Sequence, residues 1–202
     1  ITLFTRQGVE RIQRFAFEIA RSRPRKLLTL VTKSNAQRHG MVMWDEIFEE
    51  ISQDYRDITT DKMLVDAMTT RMVLDPQSID TVVASNLHAD ILTDLAASLS
   101  GSMGIAPTGN LDPEKRHPSM FEPIHGSAFD IMGQGIANPI GSYWSAVMML
   151  ENLGELKASQ RLMSAIEKLT SDKKILPKDL GGKSSTKEVT KAMINIILGK
   201  NK

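Results

Sequence analysis

The chain is predicted to be an α/β protein. Two observations carry that expectation. Short apolar runs, KLLTLV at 26–31 and TVVA at 81–84, alternate with segments whose apolar residues recur at helical spacing. A Gly- and Pro-rich stretch over 101–139 then gives way to helical segments up to the end of the chain. Alternating strands and helices of this kind build a parallel sheet covered by helices.

The elements follow in order. Over 7–22, Val9, Ile12, Ala16, Ile19 and Ala20 make a helical stripe, which Pro24 ends. The run at 26–31 is short, mostly apolar and rich in strand formers, and reads as a buried strand. After polar Lys33, Ser34 and Asn35, the residues Trp44, Ile47, Phe48 and Ile51 give a second helix. Ile58 and Thr59 suggest a short strand. Leu64, Ala67, Met68 and Met72 suggest a helix that ends before Pro76. After the strand at 81–84, Asn86 is a candidate N-cap for a helix through 87–99. Helices are expected again at 139–153, 156–169 and 186–198. Gly181 and Gly182 break the chain before the last, and Ser185 and Glu188 stand at capping-box spacing.

Composition excludes several classes. The 202 residues are 41% hydrophobic and 24% charged, which suits a packed globular chain and not a disordered one. Lys and Arg total 25 against 24 Asp and Glu, for a net charge of +1, so no field for nucleic acid or an anionic membrane follows. Without cysteine there is no thiol catalysis, disulfide or Cys-bound zinc. No apolar run approaches the about 20 residues that cross a bilayer. The chain starts on Ile1, not Met, and its first segment has no signal-peptide core.

Four groups of residues could carry chemistry. Asp90 and Asp94 stand four apart in NLHADILTDL. On a helix their carboxylates share one face, with Cβ atoms about 6 Å apart, and repel unless a cation lies between them. Hard oxygen ligands suit Mg2+ or Mn2+. The alternative is a solvated acidic face, against which Ile91, Leu92 and Leu95 argue by suggesting a largely buried helix. Lys33 and Asn35 follow a strand directly, where parallel α/β folds bind ligands. A lysine there holds an anion or moves a proton, or is an ordinary loop lysine. Asp66 lies among Leu64, Val65, Ala67 and Met68, either on a polar stripe or in need of a partner. In FEPIHGSAFDI, the turn His125–Gly126–Ser127 lets backbone approach a ligand closely. Asp130 would accept from a ribose hydroxyl and repel a 2′-phosphate, favouring NAD over NADP. No GxGxxG, P-loop, HExxH or GxSxG motif is present.

Taken together, TKSN at 32–35, VDAM at 65–68, SNLHADILTDL at 85–95, GSMGIAPTGNL at 101–111, EPIHGSAFDI at 122–131 and GQGIANP at 133–139 occur in an order that closely resembles the metal-dependent β-decarboxylating dehydrogenases. This is the isocitrate and isopropylmalate dehydrogenase family. WDE at 44–46 and NLDPEKRHPSMFEP at 110–123 look most like its tartrate/D-malate branch. His88-Ala89 stands where Phe-Gly or Tyr-Gly is common in relatives, and Phe129 where Pro is frequent.

The resemblance implies an isocitrate/isopropylmalate dehydrogenase-like fold, incomplete because the amino-terminal part is absent. It implies a domain over 1–98 that carries the lysine and metal aspartates and forms the dimer, and over 99–202 the carboxyl-terminal part of the nucleotide-binding domain. It further implies Lys33 as catalytic lysine, Asp66, Asp90 and Asp94 as ligands of Mg2+ or Mn2+, and Asn35 as a substrate contact. His125, Gly126, Ser127, Ala128, Asp130, Ile131 and Asn138 would form the adenosine side of an NAD site. The expected reaction is oxidation of a 2-hydroxy diacid, with or without decarboxylation, tartrate or D-malate being favoured over isopropylmalate. The expected partners are a second copy sharing the active site, with the lysine and one aspartate crossing over, or the missing amino-terminal part; neither nucleic acid nor membrane is expected. A cytoplasmic location is favoured, with a targeting segment left open in the absent part. The arginines that clamp the substrate would lie in that part, so the 202 residues alone are expected to be inactive. The competing expectation is a naturally shortened, inactive relative that serves as a binding or scaffold protein.

Overall fold

The computed structural model describes residues 2–200. Ile1, Asn201 and Lys202 lie outside them. The chain divides into two compact units, 1–96 and 97–202.

Unit 1 is built on a three-stranded parallel sheet in the order β2–β1–β3, from β1 (Leu27–Thr32), β2 (Thr59–Leu64) and β3 (Thr81–Val83). The helices α1 (Arg6–Ser22), α2 (Gly40–Ser52), α3 (Val65–Leu74) and α4 (Asn86–Leu99) complete the alternation, α4 running across the boundary of the unit. Central β1 is buried along nearly its whole length, which is why it is apolar without alternation. Its side chains still divide by period two. Leu28 and Leu30 pack with Phe17, Trp44, Ile47 and Phe48 of α1 and α2. Val31 packs with Met68 of α3 and Leu92 of α4.

Two expectations for this unit need correction. The inward stripe of α1 is Val9, Gln13, Ala16, Phe17 and Ala20, while Ile12 and Ile19 are each 41% exposed. Phe17 takes the inner place because it stacks on Phe48 and Tyr55, with ring centroids 5.1 and 4.7 Å apart. Gln13 is tolerated inside because its Nε2 donates to the Trp44 carbonyl at 2.9 Å. Strand β2 also runs on to Leu64, longer than the expected pair Ile58–Thr59. It is an edge strand with Thr59, Thr60 and Lys62 exposed, so its sequence shows no buried run.

Unit 2 holds the antiparallel pair β4 (Pro107–Asn110) and β5 (Met120–Pro123), followed by α5 (Ile140–Asn152), α6 (Leu156–Asp172) and α7 (Thr186–Ile197). Its core is Ile140, Val147, Ala165, Ile166, Leu169, Val189 and Met193, one face from each helix. The expected capping box is present in both directions between Ser185 and Glu188. Among the described residues no helix is long and apolar enough to cross a membrane.

Candidate active site

Register brings the first two charged residues together. Thr32, the last residue of β1, pairs with Leu64, the last residue of β2. Lys33 and Asp66 follow those residues and leave the sheet at the same carboxyl edge. Lys33 Nζ donates to Asp66 Oδ1 in an ion pair. That contact, with help from backbone donors, holds the Asp66 carboxyl below the ordinary carboxylate range. Asp66 also sits in the first turn of α3, where a negative charge meets the positive end of the helix dipole.

The loop after Lys33 is short and tied back to it. Ala36 and Gln37 donate their backbone N–H groups to the Lys33 carbonyl at 3.0 and 2.8 Å. Asn35 is exposed on this loop. Ser34 Oγ donates to Asp45 Oδ2 at 2.8 Å, and Lys62 Nζ reaches the same oxygen at 3.3 Å. Asp45, on α2, is a residue sequence reasoning did not single out by itself. Its side chain is only 15% exposed and its Oδ1 is buried without a hydrogen-bond partner among the described residues.

Helix α4 departs from its expected burial. Leu92 is buried, but Leu87 and Ile91 are 63% and 53% exposed, and both Asp90 and Asp94 are exposed. At spacing 87, 90, 91, 94 these four share one helix face, acidic and apolar together. The opposite face buries His88, whose Nδ1 has no partner among the described residues. Burial first, and the charge of Lys33 second, push the His88 imidazole below its ordinary pKa, so it is neutral near pH 7. Asp66 is engaged with Lys33, and among the described residues no group of three His, Asp or Glu side chains could hold a metal ion. The three aspartates therefore do not gather into one cluster within a single chain.

In unit 2 the expected nucleotide residues lie on one loop between β5 and α5. His125, Gly126, Ser127, Ala128 and Asp130 are all exposed, and Ile131 is half-buried. Nothing lies within 4 Å of where a Cβ of Gly126 would stand, so the backbone there is open to close approach. Ala128 adopts a left-handed φ of 44° at the start of a short 3-10 turn, Phe129–Ile131. Two bonds from the start of α7 hold the far end of the loop. Thr186 N donates to the Gly135 carbonyl at 2.9 Å, and Thr186 Oγ1 donates to the Ala137 carbonyl at 2.5 Å. Asn138 Nδ2 donates to Asp179 Oδ2 at 2.8 Å. Asp179 is the second residue that sequence reasoning missed. The only local signal is its place in a turn punctuated by Pro177 and Gly181.

Unit 1 is thus an α/β protein whose charged side chains gather beyond the carboxyl ends of parallel strands, the place where such folds bind ligands. Comparison with known proteins specifies the class. The isocitrate/isopropylmalate dehydrogenase family model matches residues 1–196. A probable tartrate dehydrogenase/decarboxylase of Agrobacterium vitis is 64% identical over 201 residues, which cover 100% of this chain and 56% of that protein. The decarboxylating D-malate dehydrogenase of Escherichia coli (strain K12) is 46% identical over 202 residues, 98% of this chain and 56% of its own length. The crystal structure of isocitrate dehydrogenase from Methylococcus capsulatus superposes with a TM-score of 0.94 at 38% identity, over 100% of this chain and 58% of that one. The chain belongs to the isocitrate/isopropylmalate dehydrogenase family, with tartrate and D-malate dehydrogenases among its relatives as WDE and NLDPEKRHPSMFEP imply. It spans about half the length of the curated relatives it matches.

Proposed function

We propose that this chain serves an NAD-dependent oxidation of a 2-hydroxy diacid, with or without decarboxylation, and that tartrate or D-malate is the substrate. The observation that carries the reading is the Lys33–Asp66 pair at the carboxyl edge of β1 and β2. Lys33 is the group that handles the proton of the substrate hydroxyl, and Asp66 keeps its ammonium aimed at the edge of the sheet. Asn35, exposed on the same loop, contacts the substrate. Asp45 fixes that loop through Ser34.

The donor chemistry suits Mg2+ or Mn2+, because Asp90 and Asp94 present two carboxylates one turn apart on an exposed face. Two carboxylates do not close a site. We assign the third ligand to Asp66 of a second copy, which brings Lys33 with it. The separation of the Lys33–Asp66 pair from the α4 carboxylates supports this assignment. So do Leu87 and Ile91, apolar neighbours on the same face that a second copy would cover. When bound, a divalent cation supplies Lewis-acid polarisation of the substrate oxygen and NAD supplies the hydride acceptor. For NAD, the open backbone at Gly126, the carboxylate of Asp130 and the carboxamide of Asn138 form the adenosine side of the site. Asp130 disfavours a 2′-phosphate.

The test is binding and turnover by the chain together. Millimolar Mn2+ is expected to raise the melting temperature of the unaltered chain and not that of Asp90→Asn. NAD is expected to bind, but no NADH is expected from tartrate, D-malate or isopropylmalate, because the chain spans about half the length of the relatives it matches. A folded chain indifferent to both Mn2+ and NAD overturns the reading in favour of a binding or scaffold role. Steady NADH production by the 202 residues overturns the expectation of inactivity.

A further inference from the structure

Asp179 joins three segments of unit 2 that are far apart in sequence. Its Oδ2 accepts from Asn138 Nδ2 at 2.8 Å and also from Ser102 Oγ. Ser102 Oγ itself accepts from the backbone N–H of Gly104 at 2.8 Å. On the other side of the carboxamide, Asn138 Oδ1 accepts from the Ile140 N–H at 2.9 Å, at the start of α5. The approach is close. A Cβ on Gly104 would lie 2.6 Å from Asp179 Oδ2 and 3.0 Å from the Asn138 side chain. Only glycine leaves room for this arrangement.

The chemistry of the neighbours decides which way round the Asn138 carboxamide lies. A carboxylate only accepts and a backbone N–H only donates. With one on each side, the amide nitrogen must face Asp179 and the amide oxygen must face Ile140. One Nδ2 hydrogen and one Oδ1 lone pair then remain, in a fixed direction, for a bound molecule. An asparagine at 179 could donate or accept, so it would no longer oppose the flipped carboxamide, and the Ile140 N–H alone would be left to set the orientation.

We propose that Asp179 is the positioning residue of the nucleotide site: it holds the Asn138 carboxamide in the single orientation in which the adenosine part of NAD is bound. The proposal rests on reading 125–138 as the NAD site. Asp179 itself need not touch the nucleotide.

Two readouts on the full chain test it. One is the pair of Asn138 side-chain amide resonances in nitrogen–proton correlation spectra; the other is NAD affinity by calorimetry. Asp179→Asn is expected to move those resonances and to weaken NAD binding about tenfold, as the loss of one hydrogen bond to a charged acceptor does. Gly104→Ala reaches the same contact by another route, displacing the carboxylate without removing it, and is expected to do the same. Ser102→Ala removes the other bond to the same carboxylate and leaves the Asn138 bond, so NAD affinity is expected to be retained. If Ser102→Ala weakens NAD as much as Asp179→Asn, the effect is general loosening and the proposal falls. Unmoved Asn138 resonances, or equal NAD affinity, in folded Asp179→Asn also overturn it, while NAD still binds the unaltered chain. If the unaltered chain binds no NAD, the nucleotide reading itself is overturned and the positioning role goes with it.

Discussion

Unit 1 and unit 2 hold their candidate residues by different means. In unit 1, Lys33 and Asp66 emerge from the ends of β1 and β2, and their meeting follows from strand register. Few side-chain contacts are needed, because the parallel ladder sets the backbone positions. In unit 2 the candidate residues lie on an exposed loop with no ladder beneath it. They are held by bonds to other segments: Thr186 to the carbonyls of 135 and 137, and Asp179 to Asn138. A site on a sheet edge depends on the core under the sheet, whereas a site on a loop depends on a few specific contacts.

The first way to break that contrast is to cut the core of unit 1. Leu30 is fully buried in the middle of β1. Leu30→Ala should cost about 3 kcal/mol in urea unfolding, through lost transfer energy and the cavity left behind. The Lys33–Asp66 pair should loosen with it. If the pair survives in a markedly destabilised sheet, register is not what holds it. Unit 2 should respond instead to a single cap. Ser185→Ala removes the capping box at the start of α7 and should cost about 1 kcal/mol in thermal unfolding. The next residue, Thr186, carries the loop bonds, so amide exchange at 133–137 should accelerate while that of β1 stays unchanged.

An effect of similar size and opposite sign is expected at His88. Its buried Nδ1 lacks a partner among the described residues, and such a group costs stability. His88→Phe, which keeps an aromatic ring and removes the unpaired nitrogen, should raise stability by about 1 kcal/mol in urea unfolding. A loss would mean that the imidazole makes a contact worth keeping.

The two regions were also unequally legible in the sequence. Strand β1 could be read because both its faces are buried, and α7 because its cap is chemically explicit. Strand β2 shows only its first residues in the sequence, since an exposed edge carries no apolar pattern, and the spacing of Ile12 and Ile19 points inward although the aromatic stacking of Phe17 turns α1 another way. At the site, residue types were legible and pairings were not. Asp66, Asp90 and Asp94 stand out as charges in apolar surroundings and Lys33 as a charge directly after a strand, but that Lys33 binds Asp66 depends on the β1–β2 register, which local spacing does not encode. Asp179 had only its place in a turn as a local signal, and nothing local paired Ser102 with it. Their contacts span 41 and 77 residues, and polar residues in turns are common for other reasons.

The smallest expected change in stability is also the sharpest probe of unit 1. Lys33→Met removes the ammonium and keeps most of the length of the side chain. Asp66 is largely exposed, so solvent screens the pair and the folding free energy at pH 7 should fall only slightly, by no more than the small pH-linked contribution of the pair. What should move is the pH dependence. In the unaltered chain Asp66 has a depressed folded-state pKa, chiefly because of Lys33. A carboxylate of that kind contributes stability that is fully present above its unfolded pKa, near 3.8, and is lost as the pH falls through the lower folded value. In Lys33→Met the Asp66 carboxyl should titrate closer to the ordinary range, and that part of the acid-induced loss should vanish. Carboxyl chemical shifts of Asp66 followed from pH 6 downward read this directly. An Asp66 that titrates identically with and without Lys33 would show that α3 and its backbone donors hold the carboxylate, and that the lysine stands at the sheet edge without it.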